Sequence, residues 1–356
     1  LVFSYYLTKY PYRLVWHLLR WAQCNPKAVV YLAEPLDHVV LAPILRHLPP
    51  MPMVAKNRRT IRYLRRQGLT CRHAPSFPQA VITCRHAAHR FPSDQIVKIG
   101  FRHGAYHFKA FAKPRYYQAF DAYGVTSEAE VALLRDRGVR CAIAVGFPKI
   151  DPAFDGSLTA EMLESFRQKA GIDPQKQTVL FTATWDGSGL SAVERWIDRL
   201  PDLTPIYNVL VTLHPWTKGR YREVLQQMPG VHFIDSIETL PYLVLADVMV
   251  GDYSSIIAEF CALDKPMVLF RLPETDRSVP EVNRLLEEIA LCIDQGKDLR
   301  EALRSSLQNP ATRQAERQRA NRLMFGPLDG RAGERAAELI TRVLQSRGID
   351  IKNSIP

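Results

Sequence analysis

Short apolar runs alternate with helical periods along most of the chain. A first series reads AVVYLAE, MVAKN, AVITC, IVKIGF, AYGVT and CAIAVG, with helical text between several of them, notably Arg59–Gln67 and Glu128–Arg137. A second series reads TVLFTAT, YNVLVTL, VHFID, DVMVGD and PMVLF, and alternates with helical patterns near 190–200, 218–227, 238–245, 254–263 and 281–290. Runs of Val, Ile and Leu without polar alternation are strands buried on both faces, as in parallel sheets covered by helices. Two such series predict an α/β protein of two doubly wound, Rossmann-like domains. The seam falls in GFPKIDPAFDGSL, where two prolines and two glycines precede a helix over Thr159–Ala170. This gives an N-terminal domain over 1–155, a second over 156–330 and a closing segment over 331–356. The closing helix, Arg331–Gln345, is long enough to pack back across a domain interface.

Composition leaves that picture in place. A length of 356 residues suits two domains, and 47% hydrophobic with 23% charged residues is ordinary for a globular chain. No run of eighteen apolar residues occurs, so no transmembrane helix is expected. The chain opens LVFSYYLTKY without Met, so the lack of a leader excludes nothing. Six cysteines, at 24, 71, 84, 141, 261 and 292, include no C-x-x-C pair. They predict neither a zinc site nor a disulfide framework, and they fit a reducing cytoplasm.

Charge adds a partner to consider. The formal net charge is +11, much of it in KNRRTIRYLRRQ (Lys56–Gln67) and around Arg85–Arg115. A basic half can meet nucleic acid, anionic lipid or phosphorylated substrates, although a lone charge run is usually a solvated helix face. No nucleic-acid motif accompanies it, so nucleic acid is not expected and an anionic membrane surface is the partner to test.

In a doubly wound sheet, ligands bind outside the carboxyl ends of the strands. Four such ends carry suggestive groups. FRHGAYHFK follows IVKIG and presents His103 and Gly104, with His107 and Lys109 close by. A histidine there can take a proton from a hydroxyl at neutral pH, although a lone one more often only bonds its own loop. FTATWDGSG offers Thr182, Thr184 and a glycine-rich turn for backbone-first approach to a ligand. VTLHPWTK places His214 at an equivalent edge of the second domain. GDYSS, Gly251–Ser255, lies between a strand and an apolar helix pattern. Asp252 can cap that helix and Ser254 and Ser255 fall in its first turn, where free backbone N–H groups form an anion site suited to a diphosphate. Glu259, one turn on, is placed to reach a ribose hydroxyl. One helix cap needs neither two serines nor a glycine, which favours the phosphate reading.

With these residues in place, the chain resembles the CDP-glycerol glycerophosphotransferase family, the teichoic-acid polymerases and primases, from about residue 96 to 343. The family's tryptophan-histidine-glycine motif looks like Arg102-His103-Gly104, and its Gly-x-Pro-Arg-x-Asp segment looks like Gly146–Asp151. Its Tyr-Ala-Pro-Thr-Trp strand end is similar to Phe181–Trp185, and its second histidine motif to His214-Pro215. Its Thr-Asp-Tyr-Ser-Ser motif resembles Gly251–Ser255 with Glu259 after it, and its tail motif resembles DGRAGER, Asp329–Arg335. The chain departs from the family at Arg102, at AYHFK, at Ala183 and throughout RLPETDRSVPEV.

The resemblance implies a GT-B fold, two Rossmann-like domains facing across a cleft with a helical C-terminal segment. It implies a transferase that moves glycerol phosphate, or another polyol phosphate, from a CDP-activated donor to a hydroxyl of a glycan or polyprenyl-linked acceptor in cell-envelope synthesis. His103 would accept the hydroxyl proton; His214 and the helix beginning at Ser254 would stabilise the donor phosphates as CMP leaves. Gly251, Asp252, Ser254, Ser255, Glu259, Thr182 and Thr184 would hold the donor, and Gly104, Lys109, Asp151 and Arg335 would serve or support the acceptor side. No cofactor is implied, and with no Asp-x-Asp at a strand end no metal is expected. The implied location is the cytoplasm, peripheral at the inner face of the membrane. The alternatives are a GT-B glycosyltransferase for capsule or lipopolysaccharide, a nucleotide-sugar 2-epimerase, whose tail resembles DGRAGER, and a basic nucleic-acid or membrane-binding module.

Overall fold

The computed structural model describes residues 2–106, 113–273 and 279–351, with the backbone alone over 2–8. The first apolar series becomes β1 (Ala28–Leu32), β2 (Met53–Ala55), β3 (Arg72–His73), β4 (Ala80–Cys84), β5 (Val97–Phe101), β6 (Ala122–Val125) and β7 (Ala142–Ala144). They form one parallel sheet in the order β3-β2-β1-β4-β5-β6-β7. The second series becomes β8 (Thr178–Ala183), β9 (Asn208–Leu213), β10 (Val231–Phe233), β11 (Val248–Gly251), β12 (Met267–Phe270) and β13 (Leu291–Ile293). These form another parallel sheet, ordered β10-β9-β8-β11-β12-β13. Both are doubly wound, and the strand order reverses between β1 and β4 in one and between β8 and β11 in the other. Those switch points are where such sheets leave a crevice for ligands.

Burial explains the missing alternation. Every position of β1, β4 and β5 is buried, and so is every position of β8, β9, β11 and β12. Val30, Leu32 and Ile82 face a core shared with Leu339, Ile340 and Leu344 of the last helix, Ala332–Ser346. Val29, Tyr31 and Val81 point the other way, onto Trp16 of the first helix, Val2–Trp21.

The chain divides into two compact units. One comprises Leu1–His103, Ala112–Asp151 and Asp329–Pro356; the other comprises Gly104–Phe111 and Pro152–Leu328. The last helix therefore belongs with the first sheet, against the helix Pro35–Leu45. Gly333 makes that approach possible, since a Cβ there would stand 2.5 Å from the Pro43 carbonyl oxygen.

Several elements are absent from the sequence-based expectation, and four of them show why. Strands β3 and β13 are two- and three-residue edge strands with little or no burial. The helix Pro35–Leu45 is apolar nearly all round, and Val2–Trp21 carries Tyr10, Leu14, Leu18 and Trp21 exposed opposite its buried Trp16, so in neither does a single apolar face mark the period. Among the described residues, no helix is long and apolar enough to cross a membrane.

Candidate active site

The second sheet's switch point is built around one carboxylate. Asp252, just past β11, is fully buried. It accepts hydrogen bonds from Thr184 N–H (2.9 and 3.0 Å to its two oxygens), from Thr184 Oγ1 (2.7 Å) and from Ala192 N–H (3.0 Å). Backbone and hydroxyl donors of this kind are what let a carboxylate stay in the interior. Asp252 therefore ties the end of β11 to the end of β8.

That geometry corrects two expectations. Asp252 does not cap the following helix, because Thr184 lies beyond the last ladder pairing of β8 and its donors claim the carboxylate. Nor do Ser254 and Ser255 form the first helical turn. The helix runs Ile256–Cys261, with Ser255 at its N-cap making no side-chain cap bond. Ser254 N–H donates to the Asp252 carbonyl (2.9 Å), while Ser254 Oγ is buried with no hydrogen-bond partner among the described residues. A buried hydroxyl left unpaired costs about 1–3 kcal/mol, a cost that a bound acceptor removes.

The other donor-side residues fall around this turn. Gly251 serves packing: a Cβ would stand 2.7 Å from Ile257 Cδ1 and 3.0 Å from Thr182 Cγ2. Thr182 and Thr184 are buried, and Thr184 donates its hydroxyl to Asp252. Glu259 is buried in the helix after the turn.

His214 follows β9, next to β8 on the far side from β11. Trp216 N–H donates to His214 Nδ1 (3.2 Å), which in the neutral ring leaves the proton on Nε2. The exposed Trp216 ring lies edge-on to His214, with centroids 5.3 Å apart, and edge-on to Trp185 at 5.9 Å. Lys218 pairs with Asp186 (3.0 Å) and also donates its backbone N–H to it, joining the loops that follow β8 and β9. Burial alone would raise the Asp186 carboxyl, but the Lys218 bonds outweigh it and hold it below the usual range.

In the first unit, His103 follows β5 and is exposed. Arg102, standing where the family carries tryptophan, is paired with the buried Glu130 at 2.7 Å. Gly104, grouped with the second unit, lies beside Ser255: a Cβ on it would be 3.3 Å from Ser255 Oγ. Lys109 and His107 lie outside the described residues. Asp151 and Arg335 both bond around the start of the last helix. Asp151 is buried and accepts from Ala332 N–H (3.2 Å) and Gly333 N–H (2.6 Å), anchoring the start of the last helix. Arg335 donates to the Val145 carbonyl (3.0 Å) and to both Asp329 oxygens (3.0 and 2.8 Å).

His86, after β4, escaped the sequence reading because it sits in no motif. Its ring stacks on Tyr123 (5.2 Å, 11°) and meets Tyr117 edge-on (4.5 Å), with Nδ1 buried and unpartnered among the described residues. Burial, helped by the Arg102 charge, pushes its pKa down to about 4. The aromatic spacing Tyr116, Tyr117, Phe120 and Tyr123 was the available signal.

A turn that fixes a buried hydroxyl, on the sheet whose β9 end carries His214, can bind and polarise an anion. A family model described as CDP-glycerol:poly(glycerophosphate) glycerophosphotransferase matches residues 137–342. The chain is 26% identical over 214 residues to the teichoic acid ribitol-phosphate polymerase TarK of Staphylococcus aureus (strain NCTC 8325 / PS 47), covering 56% of this chain and 40% of that protein. It spans less than half the length of the curated relatives it matches. Among solved structures, the wall teichoic acid polymerase TagF superposes with a TM-score of 0.69 at 12% identity, over 97% of this chain and 99% of that one. The UDP-GlcNAc 2-epimerase of Neisseria meningitidis bound to UDP-GlcNAc follows with a TM-score of 0.61 at 13% identity, over 90% and 99%. At these identities the likeness is one of fold, the GT-B class with two parallel α/β sheets.

Proposed function

The chain belongs to the CDP-glycerol:poly(glycerophosphate) glycerophosphotransferase family, and on that premise we propose that it transfers a polyol phosphate from a CDP-activated donor to a hydroxyl of a glycan or polyprenyl-linked acceptor in cell-envelope polymer synthesis. The family description names glycerophosphate and TarK's names ribitol phosphate, so both polyols are candidates. His103 accepts the proton of the attacking hydroxyl. The new O–P bond forms at the polyol-bearing phosphorus while the bond from that phosphorus to the oxygen bridging to CMP breaks, and CMP departs with the electron pair. His214 Nε2–H and the Tyr253–Ser255 turn offset the charge that develops on the donor phosphates, and Glu259 takes a ribose hydroxyl.

The observation that carries this reading is the buried Ser254 Oγ, without a hydrogen-bond partner among the described residues, in a turn that Asp252 locks to the neighbouring strand end. A thermal-shift screen of CDP, UDP and GDP derivatives tests it, since a ligand that binds only the folded state raises stability by mass action. Stabilisation by CDP compounds above the others is expected; equal shifts for all three bases, or none, would sink the proposal.

The acceptor side is proposed to work at an anionic membrane surface. The helix Arg58–Arg66 exposes five arginines, Arg58, Arg59, Arg62, Arg65 and Arg66. The first helix exposes Tyr10, Leu14, Leu18 and Trp21 along one stripe. Basic side chains near an anionic leaflet add about 1 kcal/mol each and are screened by salt. Co-sedimentation with anionic vesicles at low salt, released at high salt, is expected; equal binding to neutral vesicles would refute the electrostatic part.

A further inference from the structure

The second unit holds a cavity of about 390 Å³ lined by Tyr253, Leu272, Pro280, Asn283, Arg284 and Glu287. Tyr253 comes from the turn after β11, Leu272 from just after β12, and the other four from the first two turns of the helix Pro280–Ile289. The cavity therefore opens at the carboxyl end of the sheet, one strand from the switch point. It shares Tyr253 with the turn in which the Ser254 hydroxyl has no partner among the described residues. Its size is at the lower end of the ~300–1,000 Å³ usual for small-molecule sites.

The polar lining suits a neutral, hydroxyl-rich group. Tyr253 donates its hydroxyl to Glu287 Oε1 (3.0 Å). Burial, reinforced by that bond, pushes the phenol up to about 12, so it remains a donor at working pH. Among the described residues nothing bonds Glu287 Oε2, the side-chain amide of the buried Asn283, or the guanidinium of the exposed Arg284. Asn283 and Glu287 are four residues apart and share one face of the helix. A carboxylate accepts from hydroxyls, an amide both donates and accepts, and a guanidinium donates; together they match the alternating needs of adjacent hydroxyl groups. The carboxylate's charge disfavours a phosphate inside the cavity itself.

We propose that this cavity receives the polyol end of the donor, with Asn283 and Glu287 as specificity-determining residues; the assignment rests on the transfer reading above. Leu272 and Pro280 supply the apolar wall against the carbon chain. Leu272 and Pro280 of its lining belong to RLPETDRSVPEV, a stretch that departs from the family. The donor alcohol is therefore the feature in which this chain has its own selectivity.

Titration calorimetry of the full chain with CDP, CDP-glycerol and CDP-ribitol tests the assignment, using wild type, Asn283→Ala and Glu287→Gln. Glu287→Gln keeps an acceptor for Tyr253 and nearly the same shape, and a melting curve for each variant confirms that it is folded. Wild type is expected to bind one CDP-polyol more tightly than CDP. Both variants should bind CDP as wild type does and lose roughly tenfold of the polyol advantage, the effect of leaving site groups unpaired. If both variants keep the full advantage, or lose CDP and CDP-polyol affinity equally, the cavity is not the polyol site while the transfer reading stands. If wild type prefers no CDP compound, the transfer reading fails and this assignment with it.

Discussion

The two sheets share a topology but finish their switch points differently. In the first, Arg85, held at φ 67°, reaches back to Asp37 (2.8 Å) and Glu34 (3.0 Å), so the crevice between β1 and β4 is closed by an ion-pair cluster. In the second, Asp252 spends its carboxylate on donors of the β8 end, and Ser254 Oγ is buried with no partner among the described residues. The same crevice is an ion-pair joint in one unit and holds an unsatisfied buried hydroxyl, among the described residues, in the other. A switch point thus marks where a ligand can bind, and the hydrogen-bond inventory decides whether it does.

The largest expected effect separates the chemical step from donor binding. His103→Ala should lose about 10²–10⁴ in turnover, the usual general-base contribution, with CDP affinity nearly unchanged. Turnover at the wild-type rate in a folded variant would remove His103 from the chemistry, and His107→Ala would then be the variant to measure.

Next comes the closed joint itself. Arg85→Met leaves the fully buried Asp37 carboxylate without its cation and should destabilise the fold by about 3–5 kcal/mol in urea unfolding, without selective loss of nucleotide binding in the folded fraction. A selective loss of CDP binding would mean that the first switch point also serves the donor.

The first unit should also carry an acid sensitivity. The imidazole of His86 ordinarily titrates near 6.5 and here near 4. Between those values the unfolded chain binds a proton that the folded one refuses, so stability should fall as pH drops from about 6.5 to about 4, by up to ~3 kcal/mol, and stay flat above. Urea midpoints across that window measure it, and His86→Phe should flatten the slope; an unchanged slope in that variant would place the sensitivity elsewhere.

The smallest effect concerns the tail motif. Gly333→Ala must push against the Pro43 carbonyl and should cost about 1–3 kcal/mol with CDP affinity intact. A loss of binding without a loss of stability would give DGRAGER a direct role at the donor.

Much of this was legible in the sequence because it depends on period and position. The apolar runs marked every long buried strand, and the strand ends pointed to His103, His214 and GDYSS. What the sequence hid was the partner of each polar group. Asp252 looks like a helix cap in GDYSS because its real partner, Thr184, lies 68 residues earlier. The bonds of Asp151 and Arg335 are hidden because they join segments nearly two hundred residues apart. Edge strands such as Arg72–His73 carry no apolar signal, since an edge buries little.

Hydrogen exchange of the full chain with and without saturating CDP probes the contrast between the two switch points directly. Slowed exchange is expected at the strand ends and turns around 182–186, 214–218 and 251–259, with residues 85–103 unchanged. Protection centred on 85–103, or protection at neither switch point despite CDP binding, would contradict the assignment of the donor to the second sheet.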